Sequence, residues 1–106
     1  MCGIAGIFNL NKDIVSRTVL KSMSNKIAHR GPDGQGYYLK DNIGLAHNRL
    51  AILDISKKGA QPMSSKSNRW TIVFNGCIYN FSELKQELKA NGHIFNSESD
   101  TEVICE

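Results

Sequence analysis

The sequence predicts an α+β domain, on three observations. Short β-rich runs at residues 4–8, 36–40, 43–49 and 70–74 are bounded by turn residues. Longer stretches around residues 14–27 and 81–88 carry apolar residues at helical spacing behind capping residues. A length of 106 residues with 41% hydrophobic content fits one globular domain and is too apolar for a disordered chain.

Each element has its own signal. Residues 4–8 (Ile-Ala-Gly-Ile-Phe) read as a buried strand. Ile14, Val15, Val19, Leu20, Met23 and Ile27 recur at helical spacing, with Asp13 as N-cap. The Gly31-Pro32 and Asp33-Gly34 breakers end this helix near Ala28. Residues 36–40 and 43–49 form two strands joined by a turn at Asp41-Asn42. Residues 56–68 are polar and read as a loop, and residues 70–74 form a strand that runs into Asn75-Gly76. Asn80 caps a second helix, with Glu83 completing a capping box and Tyr79 and Leu84 a hydrophobic staple. Phe81, Leu84 and Leu88 give that helix its apolar face, and Gly92 its C-cap. Ile94-Phe95 suggests a short strand, and Ser99 with Glu102 a capping box that opens a third helix. Only seven residues follow Ser99, few for a stable helix, so the chain reads as part of a longer domain.

Charge and cysteine usage narrow the function classes. The net charge is +3, and Lys57-Lys58 is the only adjacent basic pair, so no nucleic-acid stripe is present. The apolar run at residues 4–8 is far too short to span a bilayer, and no secretory signal precedes Cys2. Cys2, Cys77 and Cys105 are widely spaced and form no paired framework, which fits a reducing cytoplasm. No Cys-x-x-Cys or His-x-x-x-His pair suggests a metal.

Cys2 directly follows Met1. Removal of the methionine would place a thiol and a free α-amine on one residue. Such an amine titrates at about 7.7–8.0 in model peptides and can take the thiol's proton. The plainer reading is a small residue at a strand start. Five further segments bear on the choice: His29-Arg30-Gly31-Pro32-Asp33-Gly34-Gln35-Gly36, Ala46-His47-Asn48-Arg49-Leu50-Ala51-Ile52-Leu53-Asp54, Gly59-Ala60-Gln61-Pro62-Met63, Phe74-Asn75-Gly76-Cys77-Ile78-Tyr79-Asn80 and Ser99-Asp100-Thr101-Glu102-Val103-Ile104. With Met1-Cys2-Gly3-Ile4-Ala5-Gly6 they stand in the order found in glutamine-using asparagine synthetases. Over essentially its whole length the chain resembles the N-terminal glutaminase domain of that family, a class II glutamine amidotransferase of the N-terminal-nucleophile hydrolase type.

The resemblance implies a four-layer αββα sandwich, of which residues 1–106 would be the N-terminal part. It implies Cys2 as nucleophile and its α-amine as proton shuttle. It implies Asn75 and Gly76 as the oxyanion hole, although Asn75-Gly76 on its own reads as a hairpin turn. Arg49 matches the clamp on the substrate α-carboxylate, a task suited to a guanidinium fork. Leu50, Ala51, Ile52 and Leu53 match the pocket wall. Asp100 matches the partner of the α-ammonium; it is equally a helix-start carboxylate, and both can hold. Cys77 stands where many members carry glutamate, either marking a branch with another acceptor or serving as a small buried residue. His29, His47 and His93 read as structural, since the α-amine leaves no vacancy for a histidine base.

The partners implied are L-glutamine and a synthetase domain in a parent chain, where ATP and magnesium are expected; no cofactor is expected here. No glycine-rich nucleotide loop is present. No nucleic acid or membrane partner is expected, and the chain alone is expected to associate into an oligomer. The rivals are an amidotransferase with another acceptor and a non-catalytic domain that binds glutamine or a partner.

Overall fold

The computed structural model describes all 106 residues. A three-stranded antiparallel sheet holds β1 (Gly3–Phe8), β2 (Gly34–Lys40) and β3 (Ile43–Arg49) in the order β1-β3-β2. β2 and β3 form a hairpin with Lys40 opposite Ile43, and Asp41 in the loop takes a φ of 51°. Aspartate tolerates that left-handed conformation because its short side chain can bond locally. α1 (Arg17–Lys26) packs across β1 and β3. A second, smaller sheet pairs β4 (Met63–Ser64) with β5 (Thr71–Ile72). α3 (Asp100–Cys105) lies against it, and α2 (Phe81–Ala90) packs on α3. The domain is α+β with antiparallel sheets, as the residue pattern predicts.

β3 is the hub. Alternate side chains leave a strand on opposite faces, and Ala46 and Asn48 turn toward α1. Asn48 Nδ2 donates to the Ser24 carbonyl (2.8 Å) and Ser24 Oγ donates to Asn48 Oδ1 (3.1 Å). This pair is fully buried, and its mutual hydrogen bonds offset the cost of removing both side chains from water. Leu20 of α1 and Val15 just before it complete that core. His47 and Arg49 leave from the opposite face.

Several elements differ from the sequence expectation, each for a visible reason. α1 begins at Arg17, later than the apolar spacing suggests. Val15 N–H donates to the Asp41 carbonyl (2.9 Å), which ties this residue to the hairpin turn instead of a helix. Ser16, not Asp13, caps α1 by accepting from Val19 N–H, and Asp13 instead accepts from Asn11 Nδ2 (2.8 Å). Ile14, Val19 and Met23 are exposed, so the buried face runs through Leu20 and Ser24. α1 ends at Lys26, and a 3-10 turn covers Ala28–Arg30. β1 is an edge strand with Ile4 and Phe8 exposed, not a buried one.

The second half of the chain departs more often. Residues 56–68 are not all loop: they hold a 3-10 turn at Lys57–Gly59 and β4. β5 stops at Ile72 because Phe74 N–H is taken by Gln61 Oε1 (2.6 Å), a side chain rather than a strand. Asn80 caps α2 without a side-chain bond, and Tyr79 is 94% exposed, so neither the Asn80–Glu83 box nor the Tyr79–Leu84 staple forms. The entry to α2 is set instead by Ile78 N–H, which donates to Asp100 Oδ2 (2.8 Å). Phe81, Leu84 and Leu88 do face inward with Lys85, and Gly92 ends the helix with a φ of 93°. Ile94-Phe95 forms no strand. The backbone just beyond it is claimed by Glu102, which accepts from Asn96 N–H, Ser97 N–H and Ser97 Oγ. That carboxylate is therefore not closing a capping box, although Ser99 does cap α3 by accepting from Thr101 N–H (3.2 Å).

Candidate active site

One cavity of about 440 Å³ lies between the open face of β3, residues 50–54, residues 74–77 and the start of α3. Cys2, Arg49, Leu50, Ala51, Ile52, Leu53, Asn75, Gly76, Cys77 and Asp100 all line it. These are the ten positions that the sequence singles out, drawn from four separate segments. Met1, His47, Gln61, Phe74 and Ser99 line it as well.

Cys2 is placed by β1 and held on two sides. Its Sγ accepts from Leu50 N–H (3.2 Å) and donates to the Leu50 carbonyl (3.6 Å). Its own carbonyl accepts from Arg30 Nε (3.1 Å), which gives Arg30 a definite positioning contact. Leu50 therefore fixes the thiol against the wall by its backbone, whatever its side chain does.

The wall at residues 50–56 is itself braced. Arg49 Nη1 donates to the Ser56 carbonyl (2.6 Å) and Nη2 to the Asp54 carbonyl. Ala51 N–H donates to Asp33 Oδ2 (2.8 Å). Asp54 Oδ1 accepts from Ser56 N–H and Ser56 Oγ, and Oδ2 accepts from Glu98 N–H (3.0 Å). The Ser56 hydroxyl, then the Glu98 and Ser56 amides, hold the Asp54 carboxyl down at about 2. Asp54 thus joins the Arg49 loop to the segment that opens α3.

Asp100 stands at the first position of α3, 6% exposed. Oδ2 accepts from Ile78 N–H, Oδ1 has no bond within the chain, and the residue lines the cavity. Asn75 also lines the cavity with its side-chain amide unbonded. A side chain at position 76 would displace the Phe74 ring: an ideal Cβ there would sit 2.5 Å from it. Cys77 is exposed, not buried as its small side chain allows, and offers no charge.

His47 is expected to be structural, and its burial fits that reading. It is 1% exposed, it lines the same cavity, and neither ring nitrogen has a hydrogen-bond partner. Burial holds its pKa below the usual value; the Phe74 backbone opposes that shift and the Arg49 charge adds to it. The alternation along β3 places residue 47 with Arg49, and that signal was available in the sequence. His29 and His93 do not line the cavity. No three His, Cys, Asp or Glu side chains converge, so no ready-made metal cage exists.

The cavity therefore combines a thiol, two unbonded polar groups from separate segments and an adjacent glycine backbone. A family model described as a glutamine amidotransferase domain matches residues 1–106, the whole chain. The chain belongs to the glutamine amidotransferase domain family. Among curated relatives, asparagine synthetase [glutamine-hydrolyzing] 1 of Bacillus subtilis is 43% identical over 98% of this chain and 17% of its own length. Asparagine synthetase B [glutamine-hydrolyzing] of Escherichia coli is 40% identical over 98% of this chain and 19% of its own length. A putative asparagine synthetase [glutamine-hydrolyzing] 2 of Methanocaldococcus jannaschii is 40% identical over 98% and 23% respectively. This amidotransferase domain spans roughly a fifth of the length of these relatives.

Proposed function

We propose that this domain hydrolyses the side-chain amide of L-glutamine through a thioester on Cys2. The ammonia supplies an ATP-dependent amidation of the kind named for its relatives, carried out by a synthetase domain in a longer cytoplasmic protein. The observation that carries the reading is the convergence of Cys2, Arg49, Asn75, Gly76 and Asp100 on one cavity.

The chemistry follows from those groups. With Met1 present the Cys2 nitrogen is a peptide nitrogen, so activity requires its removal. The freed α-amine then takes the thiol proton. The thiolate attacks the glutamine Cδ, forming the C–S bond and an oxyanion. The Asn75 side-chain N–H and the Gly76 backbone N–H receive that charge, a donor of this kind being worth about 2.7–4 kcal/mol. The C–N bond breaks, the nitrogen takes the proton from the α-ammonium, and ammonia leaves. Water attacks the thioester, releases glutamate and restores the thiol.

Selectivity for the amino-acid end comes from two arms. Arg49 has donors left after its two loop carbonyls and can pair with the α-carboxylate. Asp100 Oδ1 can accept from the α-ammonium. ATP and magnesium belong to the synthetase part, and no residue of this chain is assigned to them. The αββα sandwich belongs to this reading, with α1 on the three-stranded sheet and α3 on the two-stranded one as the parts that this chain supplies.

The test is Cys2→Ala in the full-length protein. Glutamine-dependent turnover is expected to vanish while ammonia-dependent amidation persists. Glutamine hydrolysis at near wild-type rate in that variant would sink the assignment.

A further inference from the structure

His47 is the one residue whose buried side-chain nitrogens lack any partner. A buried donor or acceptor left unpaired is destabilising, and a native fold seldom keeps one without a use. The surroundings suggest the use. Gly36 lies opposite His47 across the β2–β3 ladder. A Cβ at position 36 would fall 2.0 Å from the Gln61 carbonyl, so only glycine lets that segment lie against the sheet here. Gln61 in turn accepts from Phe74 N–H at Oε1 and donates to Thr101 Oγ1 (3.1 Å). The Phe74 backbone also faces the His47 ring, outside ordinary hydrogen-bond geometry. Its N–H is already taken, so its carbonyl is the group open to the imidazole. Asn75 and Gly76 follow directly in the chain.

We propose that His47 is a positioning residue for the oxyanion-binding segment: when glutamine fills the cavity, its ring N–H closes a hydrogen bond to the Phe74 carbonyl and fixes the Asn75 amide and the Gly76 N–H. Hydrogen bonds of this kind are commonly long in the free enzyme and tighten in the substrate complex. A neutral imidazole suffices, because one ring nitrogen then carries the donor. The inference rests on the roles given to Asn75 and Gly76 in the proposed function. It adds a group that acts through them and touches no reacting atom.

Two measurements on the full-length protein test it. The first compares His47→Leu with His47→Asn and His47→Gln, which carry an amide N–H near the Nδ1 and Nε2 positions. His47→Leu is expected to lower kcat for glutamine hydrolysis about tenfold or more with KM within about threefold, as for an interaction made mainly in the transition state. Ammonia-dependent amidation should hold, and one of the two amide variants should recover most of the loss. Wild-type kcat in His47→Leu, or equal losses in all three variants, overturns the inference. The second needs no change at His47. In the Cys2→Ala protein labelled with 15N-histidine, glutamine should bring one His47 ring N–H into slow exchange. An unchanged resonance with glutamine bound overturns the role of His47 alone. Failure of glutamine to bind overturns the proposed function itself.

Discussion

Arg49 shows how one side chain can brace the wall of a site that it also lines. Two of its nitrogens hold the carbonyls of Asp54 and Ser56, which closes the wall that carries Leu50. Arg49→Ala should therefore raise KM for glutamine strongly and loosen the loop. Asn75 makes no bond within the fold, so Asn75→Ala should lower kcat by roughly 10²–10³ with a smaller change in KM. Steady-state kinetics on the two variants checks this; the reversed pattern would mean the roles are exchanged. Cys77 faces the cavity as a neutral, exposed thiol. Cys77→Glu should tighten glutamine binding by at most about 1 kcal/mol, since water screens an exposed charge. Calorimetric titration on a Cys2→Ala background reads the change, and unchanged or weaker affinity counts against an ammonium site there. The family resemblance marks the ten positions that line the cavity; among them Cys2, directly behind Met1, stands out by its own place and chemistry. The alternation along β3 puts His47 on the face of Arg49, but the lack of partners for its ring nitrogens is visible only in the fold.

At the scale of elements, the start of α3 carries the most consequence. Ser99 caps it, Asp100 reaches the cavity and Glu102 gathers the backbone of Asn96 and Ser97. Ser99→Ala should cost about 0.5–2 kcal/mol, the usual range for a lost N-cap. Glu102→Ala should cost more, because it strands the buried Ser97 amide and removes charge-assisted bonds to Asn96 and Ser97. Urea unfolding of the two variants tests the order, and a Glu102→Ala loss smaller than that of Ser99→Ala would contradict it. Local pattern predicted the hairpin of β2 and β3, the strand β1 and the helix α2. It missed where tertiary bonds outrank local ones. Val15 is drawn to the Asp41 carbonyl, Phe74 to Gln61, and the segment after Phe95 to Glu102. Each of these bonds has a partner outside the element it shapes, and apolar periodicity carries no record of that partner.

The whole molecule is thinly buried. Only 20 of 106 residues are buried and six of them are hydrophobic, so the fold has little core with which to resist unfolding or association. Ile52, Ile55, Trp70, Tyr79 and Ile94 are exposed, and β1 and β2 each present a free edge. The 106-residue chain should self-associate at micromolar concentration in sedimentation velocity; a monodisperse monomer would contradict that. No helix is long and apolar enough to cross a membrane. The central claim is that Cys2, freed of Met1, takes the γ-glutamyl group of glutamine as a thioester. Intact-mass and peptide-mapping spectrometry of the full-length protein, quenched in acid during glutamine turnover, tests it most directly. The account predicts that Met1 is absent and that one γ-glutamyl group is attached at Cys2. Sustained glutamine hydrolysis by protein that retains Met1, or a glutamyl group found only on another residue, would contradict it.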